Sequence, residues 1–323
     1  FFLSALKMAT AEALAAAAAR GDEPSRCGFD LSRSVLLAVR EDRLIRPDLV
    51  VKFGDYLLNH HKKRLGQEIW ALYEQMCIAL LQYGKSSKAK PEAAKPDYMR
   101  RAQECCNILS AQFPESLRIK RLEGMMWEAK GDLDEAMKEY EIILQEDPNN
   151  LFAMKRQVAL LRARGRMAEA SRRLTDHLAI VCSDADSWLQ LCDLYLSQQQ
   201  YRKATFCMEE LILLNPMAYI YHVRYGEILF TIGSAERGGN AEVVRTARKY
   251  FAHALELKPQ GNLRALYGLL LCCAATGKGS KARGDAAELA AFAQQTLLQE
   301  YEMSALPSPW MKVVEGMIKT LLS

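Results

Sequence analysis

The chain has 323 residues, half of them hydrophobic and a quarter charged, and its net charge of +4 is too small to argue for nucleic acid, which needs a basic patch with reading residues. Its 9 cysteines include no CxxC and fall mostly in apolar helical patterns (Cys77, Cys192, Cys207), which reads as buried reduced thiols and not as a disulfide framework or zinc site. Charge-free runs reach only 13 residues (Ala265 to Gly277), whereas a spanning helix needs about 20 apolar residues.

The opening FFLSALKM is too short for a signal-peptide core. Met8-Ala9-Thr10 reads as a start, so residues 1–7 are expected to be a leader or a fragment boundary. Residues 1–30 read as a mobile tail, because an Ala-rich run with little bulk to bury is followed by Gly, Pro and Ser. From Leu31 the spacing of Val35, Leu36 and Val39 is helical. Pro47-Asp48 starts a second helix, and His60 to Arg64 ends it with cations where the helix dipole favours them. His60 and His61 are expected to be a solvated helix end, since adjacent helical side chains point apart. Gln67 to Leu81 is a further helix carrying Trp70, Tyr73 and Cys77. Its partner runs from about Asp97 to Phe113, and the Lys- and Pro-rich stretch at about 84–97 is expected to be a flexible insertion between them.

Three units then start at Leu117, Leu151 and Ala185, each 34 residues apart. The turn holds Gly131, Gly165 and Gln199, and the second helix places Ala136, Ala170 and Ala204 at one position. Trp127, Tyr140 and Pro148 complete the pattern of the first unit. Small residues at fixed phase let helices approach to about 8–10 Å. This is the tetratricopeptide (TPR) pattern, a helix–turn–helix that stacks. A fourth unit begins at Tyr219 with Gly226 and Gly233 in register, but its second helix (Ala247, Phe251, Ala254) is shifted by 9 residues, so an enlarged turn is expected at about 234–243. A fifth follows, with a Gly- and Lys-rich loop from Gly277 to Gly284. After Pro307-Ser308-Pro309, the apolar positions Val313, Val314, Met317, Ile318, Leu321 and Leu322 predict an amphipathic helix that caps the array.

The predicted architecture is therefore all-α. It is a TPR solenoid over 31–301, a right-handed superhelix of antiparallel helix pairs, with a linker and C-terminal capping helix over 302–323. No nucleotide, metalloprotease or hydrolase motif occurs, and His177 and Cys182 sit near a helix end as a coincidence of spacing. No cofactor and no catalytic residue is expected. The informative surface is the groove lined by first helices. By register it takes Arg118, Arg121, Met125, Lys155, Arg162, Asp186, Leu189, Asp193, Ile220, Val223, Glu227 and Phe230. It runs from basic through acidic to apolar, which suits a protein segment held by charge and apolar contact together. The subclass of TPR protein that grips chaperone tails places Asn four residues after its basic residue; here Met125 follows Arg121 and Ala159 follows Lys155. A soluble co-chaperone or adaptor is therefore the second reading, and an enzyme that captures substrate through the array is the third.

The segments Arg118–Ala129, Tyr140–Asn150, Tyr201–Pro216, Ala247–Leu257 and Glu68–Gly84 resemble the family of subunit 2 of the endoplasmic reticulum membrane protein complex. RIKRLEGM and LQEDPNN carry the resemblance beyond what the repeat consensus dictates. The resemblance implies a non-catalytic scaffold, peripheral on the cytosolic face of the endoplasmic reticulum. Its partners would be integral membrane subunits and a second cytosolic subunit. The complex would insert tail anchors and spans of multipass proteins without ATP.

Overall fold

A computed structural model describes residues 14–19, 21–85, 95–235, 240–276, 283–303 and 308–322. The described residues are helical with short connections, and the chain divides into two compact units, Phe1–Leu160 and Leu161–Ser323.

In the first unit the helices are α1 (Pro24–Glu41), α2 (Pro47–His60), α3 (Glu68–Lys85), α4 (Lys95–Gln112), α5 (Leu117–Lys130), α6 (Leu133–Glu146) and α7 (Leu151–Ala163). They pack as consecutive pairs, α1 on α2, α3 on α4 and α5 on α6, and first helices also meet across neighbouring pairs, as α3 meets α5. The periodicity explains the core. Val35, Leu36 and Val39 on α1 meet Phe53 and Leu57 on α2 and Met76 and Leu80 on α3, all buried. Residues 24–30, expected in the tail, instead form the start of α1, kinked at Gly28. Residues 14–19 are helical as well, and Ala17 is fully buried in the same core. Alanine needs no bulk where a neighbouring surface already supplies it. Most of the expected insertion, 86–94, lies outside the described residues, but Lys95–Asp97 already belong to α4.

In the second unit α8 (Met167–Ile180) packs on α9 (Ala185–Ser197), which pairs with α10 (Tyr201–Leu214). The pair α11 (Tyr219–Ala235) and α12 (Ala241–Leu257) follows, then α13 (Leu263–Thr276) with α14 (Arg283–Met303), and α15 (Ser308–Leu322) packs on α13 and α14. The enlarged turn expected after Gly233 is in part helix, since 234–235 end α11 and 241–243 begin α12. α11 and α12 have 17 residues each, against 13 and 14 in α9 and α10. Positions 236–239 of that connection lie outside the described residues, as does most of the loop expected from Gly277 to Gly284. The stripe on α15 divides: Ile318 and Val314 pack against the core, while Val313 and Met317 face solvent.

Close approach is set by glycine opposite an aromatic ring. A Cβ on Gly124 would stand 2.7 Å from Tyr140 Cε1, and one on Gly226 would stand 3.1 Å from Phe251. Phe251 is held between Gly226 of α11 and Gly268 of α13, where a Cβ would come closer still. The turns after first helices need a left-handed residue. Gly131 and Gly165 supply it at φ 87° and 74°, and Gln199 takes the same region at φ 57° without a glycine's freedom.

Candidate functional site: the first-helix faces

The site expected from the register is the surface built by the first helices of successive pairs. Several of its charged side chains are joined to one another. In the first unit Arg33 of α1 donates to Glu68 of α3, with Nε to Oε2 at 2.6 Å. Glu74 of α3 receives Arg118 at 2.5 Å and Arg121 at 3.4 Å, both from α5. Glu128 of α5 receives Arg156 of α7, with Nε to Oε1 at 2.8 Å. In the second unit Arg224 of α11 donates to Asp193 of α9 at 2.5 Å, and Arg264 of α13 grips Glu227 of α11 with both arms at 2.9 and 2.6 Å. Each bond ties one first helix to the next, so within each unit the face carries a ladder of Arg–carboxylate rungs.

The rungs differ in depth. Glu128 is 8% exposed and also accepts from Tyr140 Oη at 2.8 Å, and burial pulls the Arg156 guanidinium below the usual arginine range. The outer rungs are open to water. There the hydrogen bond from Arg33 holds the Glu68 carboxyl below its ordinary value, and the hydrogen bond to Glu227 holds Arg264 above its own. Arg121 additionally lies over the Phe152 ring, 4.7 Å from its centroid.

Arg118, Arg121, Asp193 and Glu227 are thus on the expected face, but as partners of this chain's own charges. Arg162 and Asp186 are exposed there, Lys155 is half-buried, and Leu189 and Ile220 are partly exposed. Met125 and Phe230 are half-buried and lean on the cores of their units. Val223 corrects the register: it is fully buried against α12 and α13, because its position on α11 faces the next first helix and not the open surface. Sequence reasoning missed Glu74, Arg156, Arg224 and Arg264. Arg156 and Arg224 both occupy the sixth position of their helices, one helical step from the positions counted, and that shared place is the signal that would have found them.

The cluster around His177 is structural. Its Nε2 meets Asp184 Oδ2 at 2.9 Å, the same oxygen accepts from Ser187 Oγ at 2.8 Å, and Asp184 caps α9. The Cys182 carbonyl accepts from Trp188 Nε1 at 2.8 Å. Together these bonds stitch the α8–α9 turn. Burial pushes the thiols of Cys105 and Cys192 up to about 11 and those of Cys207 and Cys272 up to about 12, whereas a hydrogen bond with Cys77 holds the buried Cys106 below its ordinary value.

Comparison with known proteins fits this geometry. A family profile described as the EMC2 TPR-like repeat domain matches residues 111–234. The chain is 36% identical over 290 residues to ER membrane protein complex subunit 2 of Xenopus tropicalis, covering 87% of this chain and 91% of that protein. It is 30% identical to TPR repeat protein oca3 of Schizosaccharomyces pombe, covering 64% of this chain and 67% of that protein. Among solved structures, the C-terminal part of a TPR repeat-containing protein from Cytophaga hutchinsonii superposes with a TM-score of 0.56 at 14% identity. That match covers 80% of this chain and 93% of that one, and it shows the fold alone.

Proposed function

Because the chain belongs to the family of ER membrane protein complex subunit 2, we propose that it is a non-catalytic scaffold subunit of that complex, peripheral on the cytosolic face of the membrane. Its first-helix faces hold cytosolic segments of integral subunits and of a second cytosolic subunit. In that position it supports insertion of tail anchors and multipass spans without ATP. The observation that carries the reading is the 36% identity sustained over 87% of this chain and 91% of its relative. Two features support it. No helix among the described residues is long and apolar enough to cross a membrane, so attachment through partners is consistent. The ladder also pairs charges of the first-helix faces with one another, which suits segments with mixed apolar and polar contacts.

The adaptor reading loses ground on one contact. Arg121, the basic residue placed for a tail carboxylate, is engaged by Glu74 and stacked on Phe152. Affinity purification of the tagged chain from detergent-solubilised membranes is the test. Recovery of integral membrane subunits is expected, with insertion of a tail-anchored reporter falling when the chain is depleted. Recovery of soluble chaperones alone would refute the scaffold.

A further inference from the structure

The second unit has a groove on its other surface, where second helices lie. α8 and α10 each pack on α9, and between them opens an apolar cavity of about 500 Å³. Leu178, Trp188, Leu191 and Cys207 are its buried lining, and Phe206 of α10 stands at its edge, 52% exposed. The rings of Trp188 and Phe206 meet edge to face at 5.9 Å. Two polar groups of this lining are already used: Trp188 Nε1 donates to the Cys182 carbonyl, and Thr175 Oγ1 donates to the Ser171 carbonyl. Tyr195 and the cations of the rim apart, the lining is largely hydrocarbon and aromatic ring. Further along α10, beyond Glu209 and Glu210, Leu213 is 74% exposed. Leu213 lies seven residues from Phe206 on the same helical face, about 10 Å along the axis at 1.5 Å per residue.

The rim is cationic. A second cavity of about 440 Å³ adjoins the first through Thr175, Tyr195 and Lys203. Arg172, Arg202 and Lys203 border the two cavities, and Asp176 is the one acid lining them. Among the described residues these three cations form no ion pair, in contrast to the rungs of the first-helix face; Lys203 only overlies the Tyr195 ring at 5.4 Å. The next acid along α10, Glu209, is engaged by Tyr225 Oη at 2.6 Å.

We propose that this groove docks an acidic amphipathic helix of another protein. Apolar side chains spaced i, i+3, i+4 and i+7 enter between α8 and α10, with Phe206 and Trp188 as anchors. Glutamates or aspartates beside that stripe pair with Arg172, Arg202 and Lys203. The inference does not depend on the scaffold reading, because it concerns a different surface and a different observation.

The probe is a fluorescein-labelled 18-residue helical peptide with leucines at i, i+3, i+4 and i+7 spacing and glutamates elsewhere, titrated with the full chain by anisotropy. Binding is expected, weakened at least tenfold by Phe206→Ser and at least tenfold by Arg202→Glu with Lys203→Glu. Arg202 and Lys203 are exposed, so that variant's melting curve should match the parent's, and a melting curve of the Phe206→Ser chain is read beside it to show that it folds. The same peptide with lysines for glutamates should bind at least tenfold more weakly. Failure of the glutamate peptide to bind, equal affinity for the two peptides, or indifference to Phe206→Ser would each overturn the proposal. So would a concentration-dependent dimer abolished by Phe206→Ser, or Phe206-dependent flotation with phosphatidylserine vesicles in the absence of peptide binding. Those outcomes would assign the groove to a second copy or to a lipid surface. Recovery of integral subunits by the Phe206→Ser chain would leave the scaffold reading standing whichever way this test falls.

Discussion

The rungs of the ladder should not be worth the same, and Glu128→Gln tests why. Glutamine keeps an oxygen for Tyr140 Oη and removes only the charge facing Arg156. Breaking a fully buried ion pair costs about 3–5 kcal/mol, because a desolvated charge is left behind. Glu128 is 8% exposed but Arg156 is 36% exposed, so water recovers part of that cost, and about 1–3 kcal/mol is the expected loss. In a unit of this size that lowers the melting temperature by about 3–10 °C. Glu68→Gln breaks a rung of the same unit whose two side chains are 43–44% exposed, and it should cost about 0–1 kcal/mol. Urea titrations followed by tryptophan fluorescence, to which Trp70 and Trp127 contribute from this unit, compare the two. Repeating them in 1 M NaCl should erase the Glu68 effect and spare most of the Glu128 effect. Equal losses, or a Glu128 effect that vanishes in salt, would refute the argument from depth.

Three further outcomes are expected. Gly268→Ala drives a methyl into Phe251, which Gly226 backs from the other side, so overpacking of about 1–3 kcal/mol outweighs the helix-propensity gain. Gly316→Ala meets nothing within 4 Å and should gain up to about 1 kcal/mol, so calorimetry should order the two oppositely. A thiol reagent at neutral pH should label the exposed Cys182 quickly and the buried cysteines only on unfolding, and Cys182→Ser should remove the fast phase. The carboxyls of Glu68 and Asp48 are depressed chiefly by hydrogen bonds from Arg33 and Arg46. Their stabilisation is therefore present above the unfolded carboxylate pKa and lost as pH falls through the lower folded values. Replacing both with amides should flatten the acid limb of a melting-temperature profile, and an unchanged limb would count against those pairs.

The repeat was legible because helix spacing and small-residue phase are local and periodic. Ala136, Ala170 and Ala204 are all fully buried where the 34-residue register puts them. The turn was legible too, though Gln199 hides its left-handed backbone behind a residue type that does not advertise it. The groove was half legible. Register gives the side of a helix, but not whether a neighbouring helix has covered it, as α13 helps to cover Val223. It also gives charges singly. Which arginine meets which glutamate depends on residues 28 to 47 apart, a distance that pattern reading along one helix does not span. The cavity between α8 and α10 left still less trace, since Phe206 and Trp188 look alike in sequence and only one of them is buried.

The long pair α11 and α12 has a consequence for how this chain tolerates changes in length. Four residues more than α9 advance the phase of α11 by about 400°, and three more than α10 advance α12 by about 300°, at 100° per residue. Each increment is close to one whole revolution. Along each helix the buried rows are spaced by seven residues, about 700° or nearly two revolutions, Gly226 to Gly233 on one helix and Val244 to Phe251 on the other, and both are in the core. An insertion of one or two residues inside either helix would swing the rest of its face by 100° or 200° and present polar side chains to Phe251. Length at this place comes in steps of three or four residues. A two-residue insertion within α12 should unfold the second unit, where a four-residue insertion leaves it standing.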